Sequence, residues 1–379
     1  MNFAINKAQL RYNSSMTYLA ILGRQPKISL AELEAKFSKV HQVSPELAEF
    51  ENSIEPNIDR LGGSLKLAVK LENSALDFLR QLPEGKITLG VSDYSKGASK
   101  RSAQSEALKL KKILTRHGRS VRVLENKSSI LSTATSHHNQ IGAKKNRIEL
   151  VKFGSTWYHV VGVQNITAYA KRDQARPARD AKVGMLPPKL AQILINLCGD
   201  LPARTCILDP FCGTGVVLQE AARMGYQVYG TDLNPRMVEY TGKNLKWAKI
   251  KDFKVELGDA TNYQWQPPIG AIVCEAYLGP PMSAPPIDIK LKEVRQQGQT
   301  LIKTFLKNLS SQIASNTPVV LAIPAWRRTD GSYARLNLLD EIKKMGYNSG
   351  KYKNLSQEDM IYYREGQIVA REIIVLRKI

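Results

Sequence analysis

Between Cys206 and Gly215 the chain reads Cys-Ile-Leu-Asp-Pro-Phe-Cys-Gly-Thr-Gly. An apolar triplet runs into a loop with two glycines one residue apart, and an apolar helical pattern follows at once. Few folds use that order. In a doubly wound parallel sheet it is the first strand, its phosphate-height loop and the next helix. The expected fold class is therefore α/β, a Rossmann-like doubly wound and mostly parallel sheet. Strands are expected at Cys206–Leu208, Val228–Gly230, Phe253–Leu257, Ala271–Cys274 and Pro318–Ile323. Helices at Val216–Met224, Pro235–Ala248, Lys292–Ile313 and Leu336–Met345 alternate with them. Met360–Tyr363 and Ile368–Leu376 read as an antiparallel hairpin at the sheet edge.

The first half has a different rhythm. The opening stretch to about residue 15 has no pattern and is expected to be frayed or a leader. Thr17–Gly23 reads as a buried strand, and Ser29-Leu30-Ala31-Glu32 as a capping box opening a helix. Strands at Leu65–Leu71 and Lys86–Val91 flank a helix near Ser74–Leu82. A basic helix is expected from Ser102 to His117, with Ala107, Leu108, Leu110 and Ile113 turned inward. Val121–Leu124 is a short strand, and Ile148–Phe153 with Trp157–Val163 forms a hairpin. This half is α+β. An Arg-, Asp- and Pro-rich stretch from Lys171 to Met185 reads as a linker. Pro187-Pro188 then starts a helix that Gly199 ends.

Charge narrows the partner. Lysine and arginine number 55 against 34 acidic residues in 379, a net +21. Residues 91–190 hold 20 basic and 6 acidic residues, so most of that excess sits in about a quarter of the chain. Such an excess attracts polyanions through counterion release, and nucleic acid is the expected partner over a merely solubilising surface. A membrane is not expected: no apolar run approaches a bilayer's thickness and no lipidation motif accompanies the charge. The four cysteines form no CxxC pair, which argues against a disulfide framework or a zinc site and fits a reducing cytoplasm. No metal is expected.

The cofactor follows from the loops. Gly213 and Gly215 let the backbone approach a ligand at a positive helix end. Leu218 stands where a dinucleotide fingerprint carries its third glycine, which disfavours a pyrophosphate cofactor. Asp209 suits a cationic ammonium group, Asp232 can accept both hydroxyls of a ribose, and Asp259 can meet an adenine amine. Ammonium, ribose and adenine partners in consecutive loops describe S-adenosyl-L-methionine. Phe211, Cys212, Thr214, Leu233 and Ala260 complete the expected cofactor-binding set with those glycines and acids.

Asp209-Pro210-Phe211-Cys212-Gly213-Thr214-Gly215 resembles the first motif of the class I methyltransferases that modify exocyclic amines of nucleic-acid bases. It is especially similar to the branch that joins such a domain to an N-terminal THUMP module, which includes the tRNA guanosine-10 N2-methyltransferases. Ile87–Ser92, the basic helix and Arg122-Val123 resemble that branch less specifically. The resemblance implies a ferredoxin-like region over 16–75, a THUMP-like RNA-binding domain over 76–168, a linker at 169–185 and a methyltransferase domain over 186–379. It also implies tRNA as substrate and a cytoplasmic location. Gly184–Leu190 matches the segment that lines the methionine end of the cofactor in relatives, which adds Met185 and Pro187 to the site. Some relatives require a small activating subunit; that requirement and the oligomeric state are left open.

After the fourth strand, amine-directed methyltransferases usually carry Asn or Asp, then Pro-Pro and an aromatic. The side-chain oxygen accepts from the target NH₂ and aims its lone pair, and the ring stacks on the base. Here the segment is Cys274-Glu275-Ala276-Tyr277-Leu278-Gly279-Pro280-Pro281. Glu275 takes the acid position, Tyr277 the stacking position, and Gly279 keeps the glycine four residues on. Two readings stand: an active site with Glu275 as amine acceptor, or a degenerate pocket that binds without turnover. A carboxylate can also accept from guanine N1–H, which favours guanine N2 as the target. Methylation of ribosomal RNA or of adenine N6, and a non-catalytic tRNA-binding role, are the rivals.

For RNA contact the residues are Lys109, Lys111, Lys112, Arg116, Arg119 and Arg122 on and after the basic helix. Arg172, Arg176 and Arg179 in the linker either grip phosphates or brace an interface through Asp173 and Asp180. Trp326-Arg327-Arg328 is expected to face the target nucleotide, and Trp247 and Trp265 to pack.

Overall fold

The computed structural model describes residues 15–180, 185–266 and 268–379. The opening stretch up to residue 14, and Gly184, lie outside the described residues. In chain order the first elements are β1 (Met16–Leu22), α1 (Pro26–Lys36), β2 (Ser38–Ser44), β3 (Leu47–Asn52), β4 (Ser64–Lys70) and α2 (Ala75–Arg80). Next come β5 (Ile87–Asp93), α3 (Lys100–Arg116), β6 (Val121–Val123), α4 (Thr133–His138), β7 (Arg147–Phe153), β8 (Thr156–Val163) and α5 (Ile166–Gln174). Then follow α6 (Pro188–Asn196), β9 (Cys206–Asp209), α7 (Val216–Arg223), β10 (Gln227–Asp232), α8 (Pro235–Trp247), β11 (Lys254–Leu257) and β12 (Ala271–Glu275). The chain finishes with α9 (Asp288–Ser310), β13 (Pro318–Arg327), β14 (Tyr333–Ala334), α10 (Leu339–Lys344), β15 (Tyr347–Ser349), β16 (Ile361–Tyr362) and β17 (Val369–Lys378).

These elements form two compact units. The first holds most of residues 15–168, and the second takes 169–379 together with 27–36 and 60–63. In the first unit one sheet runs β2-β3-β1-β4-β8-β7-β5-β6. β2 and β3 had no clear sequence signal: β2 is largely polar, and its register against β3 shifts twice. α3 starts earlier than expected, on a Ser99 cap that Ser102 reciprocates. Its phase also differs. Ala103, Ala107, Leu110 and Leu114 are inside, a strict i, i+4, i+7, i+11 stripe, while Leu108 is half exposed.

In the second unit the sheet runs β11-β10-β9-β12-β13-β17-β15. β9 to β13 are parallel, and β17 pairs antiparallel with β13 along nine residues from Pro318↔Arg377 to Trp326↔Val369. β17 is therefore interior, and β15 and β16 pair with its outer side. The expected edge hairpin is corrected accordingly. Successive strand residues feed opposite cores, as a sheet covered on both faces requires. Ile207, Val273, Val320 and Ala322 enter one core, whereas Leu208, Ile272, Leu321 and Ile323 enter the other. Each buried valine, leucine or isoleucine among them stabilises by roughly 1.5–3 kcal/mol.

α1 also feeds this unit. Ile28 and Ala31 join its first core, and Glu32 lies in mid-helix, so Ser29 and Glu32 are not a capping box. Glu32 instead accepts from the backbone N–H groups of Gly62 and Gly63 at 2.8 Å each and from Asn196 Nδ2 at 2.7 Å. Burial pushes its carboxyl up to about 7 against the pull of those donors.

Candidate active site

The chain leaves β9, winds outward through β10 and β11, and returns to β12 on the other side of β9. The carboxyl ends of β9 and β12 are therefore the switch point, where an open parallel sheet leaves a crevice. Asp209 ends one strand and Glu275 the other. A cavity of about 540 Å³ opens there. Met185, Asp209, Phe211, Cys212, Gly213, Thr214, Asp232, Leu233, Asp259, Ala260, Glu275, Tyr277 and Gly279, all expected from sequence, line it.

Two expected residues do not reach the cavity. Pro187 is the N-cap of α6, and its neighbour Leu186 lines the wall instead. Gly215 is the N-cap of α7 with φ 81°, and a Cβ there would meet Thr241 Cγ2 at 2.9 Å. Its role is to turn the loop into the helix. Gly213, at φ 52°, leaves its Cβ side open, so a ligand can approach the backbone.

The polar part of the cavity is carboxylate. Asp209 is buried and accepts from Phe211 N–H at 3.1 Å. Burial drives its pKa well above the carboxylate range, and the charges of Asp232 and Glu275 add to this. Asp232 accepts from Gly213 N–H at 2.8 Å and Asn234 N–H at 2.9 Å, and is raised by burial against both. Asp259 accepts from the backbone and hydroxyl of Thr261 at 2.9 and 2.7 Å. Four acids around an otherwise uncharged cavity make a site complementary to a cation, and a bound positive charge relieves their mutual repulsion. Burial, and then the charge of Asp209 beside them, pushes the thiols of Cys212 and Cys274 up and disfavours their thiolates.

Glu275 has a partner that sequence reading missed. Arg371 on β17 donates from Nε to Glu275 Oε1 at 2.5 Å, reaching across β13. Burial raises the Glu275 pKa, and Arg371 opposes this, followed by Arg364. Only an alternation of charge within the otherwise apolar β17 hinted at Arg371. Tyr277 is exposed at the cavity mouth, free to present a ring face.

Several expected RNA contacts are reassigned. Arg172 is buried and ion-paired to Glu220 at 2.7 Å, with Gln192 on the other carboxylate oxygen at 3.0 Å. Arg176 is buried and donates to Thr214 Oγ1 at 3.3 Å and Met185 Sδ at 3.6 Å. Arg172 on α5 and Arg176 just beyond that helix both brace the second unit. Arg119 donates to the carbonyls of Leu82 at 3.3 Å and Pro83 at 2.6 Å. Lys109, Lys112, Arg116 and Arg122 remain exposed, with Lys109 beside Glu106 at 3.3 Å. Trp326 is buried in the core and does not face a ligand, while Trp265 packs and donates to Thr231 Oγ1 at 3.1 Å. Among the described residues no cluster of His, Cys, Asp or Glu could hold a metal, and no helix is long and apolar enough to cross a membrane.

Residues 176–354 match the family described as RMKL-like, methyltransferase domain. The chain is 36% identical over 154 residues to a tRNA (guanine(10)-N2)-dimethyltransferase of Methanothermobacter thermautotrophicus, covering 40% of this chain and 43% of that protein. A protein of the same name from Pyrococcus abyssi is 47% identical over 76 residues, 20% of this chain and 22% of its own length. The chain thus spans less than half the length of these curated relatives in the matched region. The crystal structure of TrmN from Thermus thermophilus superposes with a TM-score of 0.50 at 16% identity, over 96% of this chain and all of that one. At that identity the likeness shows a shared fold alone. The matched segment, residues 176–354, resembles that methyltransferase domain over just under half of the chain, and the crevice between Asp209 and Glu275 lies within it.

Proposed function

We propose that this chain is an S-adenosyl-L-methionine-dependent enzyme of the cytoplasm that methylates the exocyclic N2 amine of a guanosine in tRNA, at position 10. The observation that carries the reading is the gathering, in one switch-point cavity, of Asp209, Asp232 and Asp259 with Glu275 at the end of β12. The names of the curated relatives point to the same nucleotide. The residues present fit the cofactor. Asp209 offers a carboxylate for its ammonium, Asp232 for its ribose hydroxyls and Asp259 for its adenine amine, with Met185 and Phe211 along the apolar wall. When bound, S-adenosyl-L-methionine supplies an electrophilic methyl group.

The chain's own residues then act on the nucleotide. Glu275 keeps Oε2 open for the target N–H while Arg371 occupies Oε1, so the carboxylate is held in one rotamer. Accepting N–H bonds from N2 and N1 of guanine uses the donor pair that adenine lacks. Tyr277 stacks on the base from the rim. The exposed cations Lys109, Lys112, Arg116 and Arg122 meet phosphates without reading sequence.

The test is incubation of the purified chain with methyl-labelled S-adenosyl-L-methionine and unmodified tRNA, then digestion to nucleosides. The expected product is N2-methylguanosine. Methyladenosine would redirect the assignment to adenine, and no labelled nucleoside at all would overturn it.

A further inference from the structure

Parallel pairing sets Glu275 beside Ala322, yet β13 continues to Arg327. Five residues therefore overhang the level of the reacting groups, roughly 17 Å at about 3.3 Å per residue. Strands on both sides follow this overhang: Tyr333 of β14 pairs with Arg327, Val369 of β17 with Trp326, and Tyr362 of β16 with Arg371. Arg327 N–H donates to Ile368 O at 2.8 Å, closing the ribbon where the 363–366 turn begins its return. Beneath it Ala325, Ile361 and Ala370 form a small buried core with Tyr333 packed against it.

The surface of this ribbon is aromatic and basic. The rings of Tyr333 and Tyr363 lie 6.0 Å apart at 35°, and Tyr363 is 45% exposed. Arg327 and Arg328 are exposed beside them, and Arg364 is close enough for its charge to act on Glu275. Two acids share the patch. Asp330 is engaged with Ser332 through its backbone N–H at 2.8 Å and its hydroxyl at 2.7 Å, and Glu365 is exposed in the turn. Tyr333 packs on the small core, while the exposed ring of Tyr363 and the guanidinium groups of Arg327 and Arg328 face outward on this ribbon. It suits a strand of nucleotides, whose bases stack on the rings while phosphates meet the arginines.

We propose that this ribbon, Arg327-Arg328 with Tyr333, Tyr363 and Arg364, is a docking site for the unpaired RNA segment that flanks the nucleotide entering the cavity. The proposal rests on the functional reading above. It gives the second unit its own hold on RNA, independent of helix α3.

The test uses the full chain carrying Lys112→Ala and Arg116→Ala, so that α3 does not mask the signal. Binding of a fluorescent oligoribonucleotide about 10 nucleotides long, within the range such sites cover, is followed by anisotropy at several salt concentrations. Adding Tyr363→Ala is expected to weaken binding about tenfold. Arg327→Gln with Arg328→Gln should lower the salt slope by about 1.4, the amount for two single-strand phosphates. S-adenosyl-L-methionine binding by calorimetry should be unchanged in both variants, which shows that the fold is intact. Wild-type affinity and slope in the variants, or no oligonucleotide binding by the parent, would overturn the proposal. Binding that responds to these substitutions in a chain that transfers no methyl group to any RNA would leave the docking site standing and remove the methyltransferase reading.

Discussion

Glu275 and Arg371, 96 residues apart, meet across β13 with Nε and Oε1 at 2.5 Å. One carboxylate oxygen is thus held by a buried guanidinium, and the proposed function gives the other to the substrate. Arg371 is the chief opponent of the burial that raises the Glu275 pKa. Replacing it by Gln removes that opposition, so the acid must lose its proton at higher pH. The acidic limb of the kcat/KM profile for methyl transfer should move toward alkaline pH, with kcat falling at least tenfold at neutrality. Arg371→Lys should restore part of both. An unchanged limb in Arg371→Gln would remove Glu275 as the ionised acceptor.

Asp232 bridges two backbone N–H groups and faces the cavity. Asp232→Ala should weaken S-adenosyl-L-methionine binding about tenfold to a hundredfold, the effect of losing charged hydrogen bonds worth roughly 1.5–3 kcal/mol. Calorimetry measures it, and tRNA affinity should not change.

Arg172 and Lys112 give opposite results if the reassignment of the linker arginines is right. Arg172→Ala leaves Glu220 buried without its ion pair, a loss of roughly 3–5 kcal/mol in stability, read by urea denaturation. Lys112→Ala should leave stability within about 0.5 kcal/mol and lower the salt slope of tRNA binding by about one.

Gly215→Ala combines a left-handed backbone with a Cβ 2.9 Å from Thr241. A destabilisation of about 1–3 kcal/mol is expected, measured by thermal melting, with a larger loss of cofactor affinity if the loop shifts.

That the glycine loop and the acids after three consecutive strands line one cavity was legible because each lies at or just past a strand end, where local pattern sets position. What escaped depends on distance. Arg371 looks like an ordinary charge in an apolar strand until β17 pairs with β13 and brings it to Glu275. Arg172 reads as a linker cation until Glu220 is seen opposite. The phase of α3 was off because Leu108 is apolar but solvent-facing, and Leu114 completes the true stripe. A single sequence shows residue type and spacing, and these cases turn on which partner a long connection delivers.

Glu32 and Asn196 are 164 residues apart, and Ile28 and Ala31 share the core that α6 and α7 complete. During synthesis at about 5–20 residues per second, helix α1 leaves the ribosome roughly 8–30 s before its binding surface exists. Throughout that interval Ile28 and Ala31 lack the partners on α6 and α7 that they meet in the finished chain, so the second unit closes late, around an element made early. Cutting the gene at the linker would give a fragment born without a helix that belongs to its own unit.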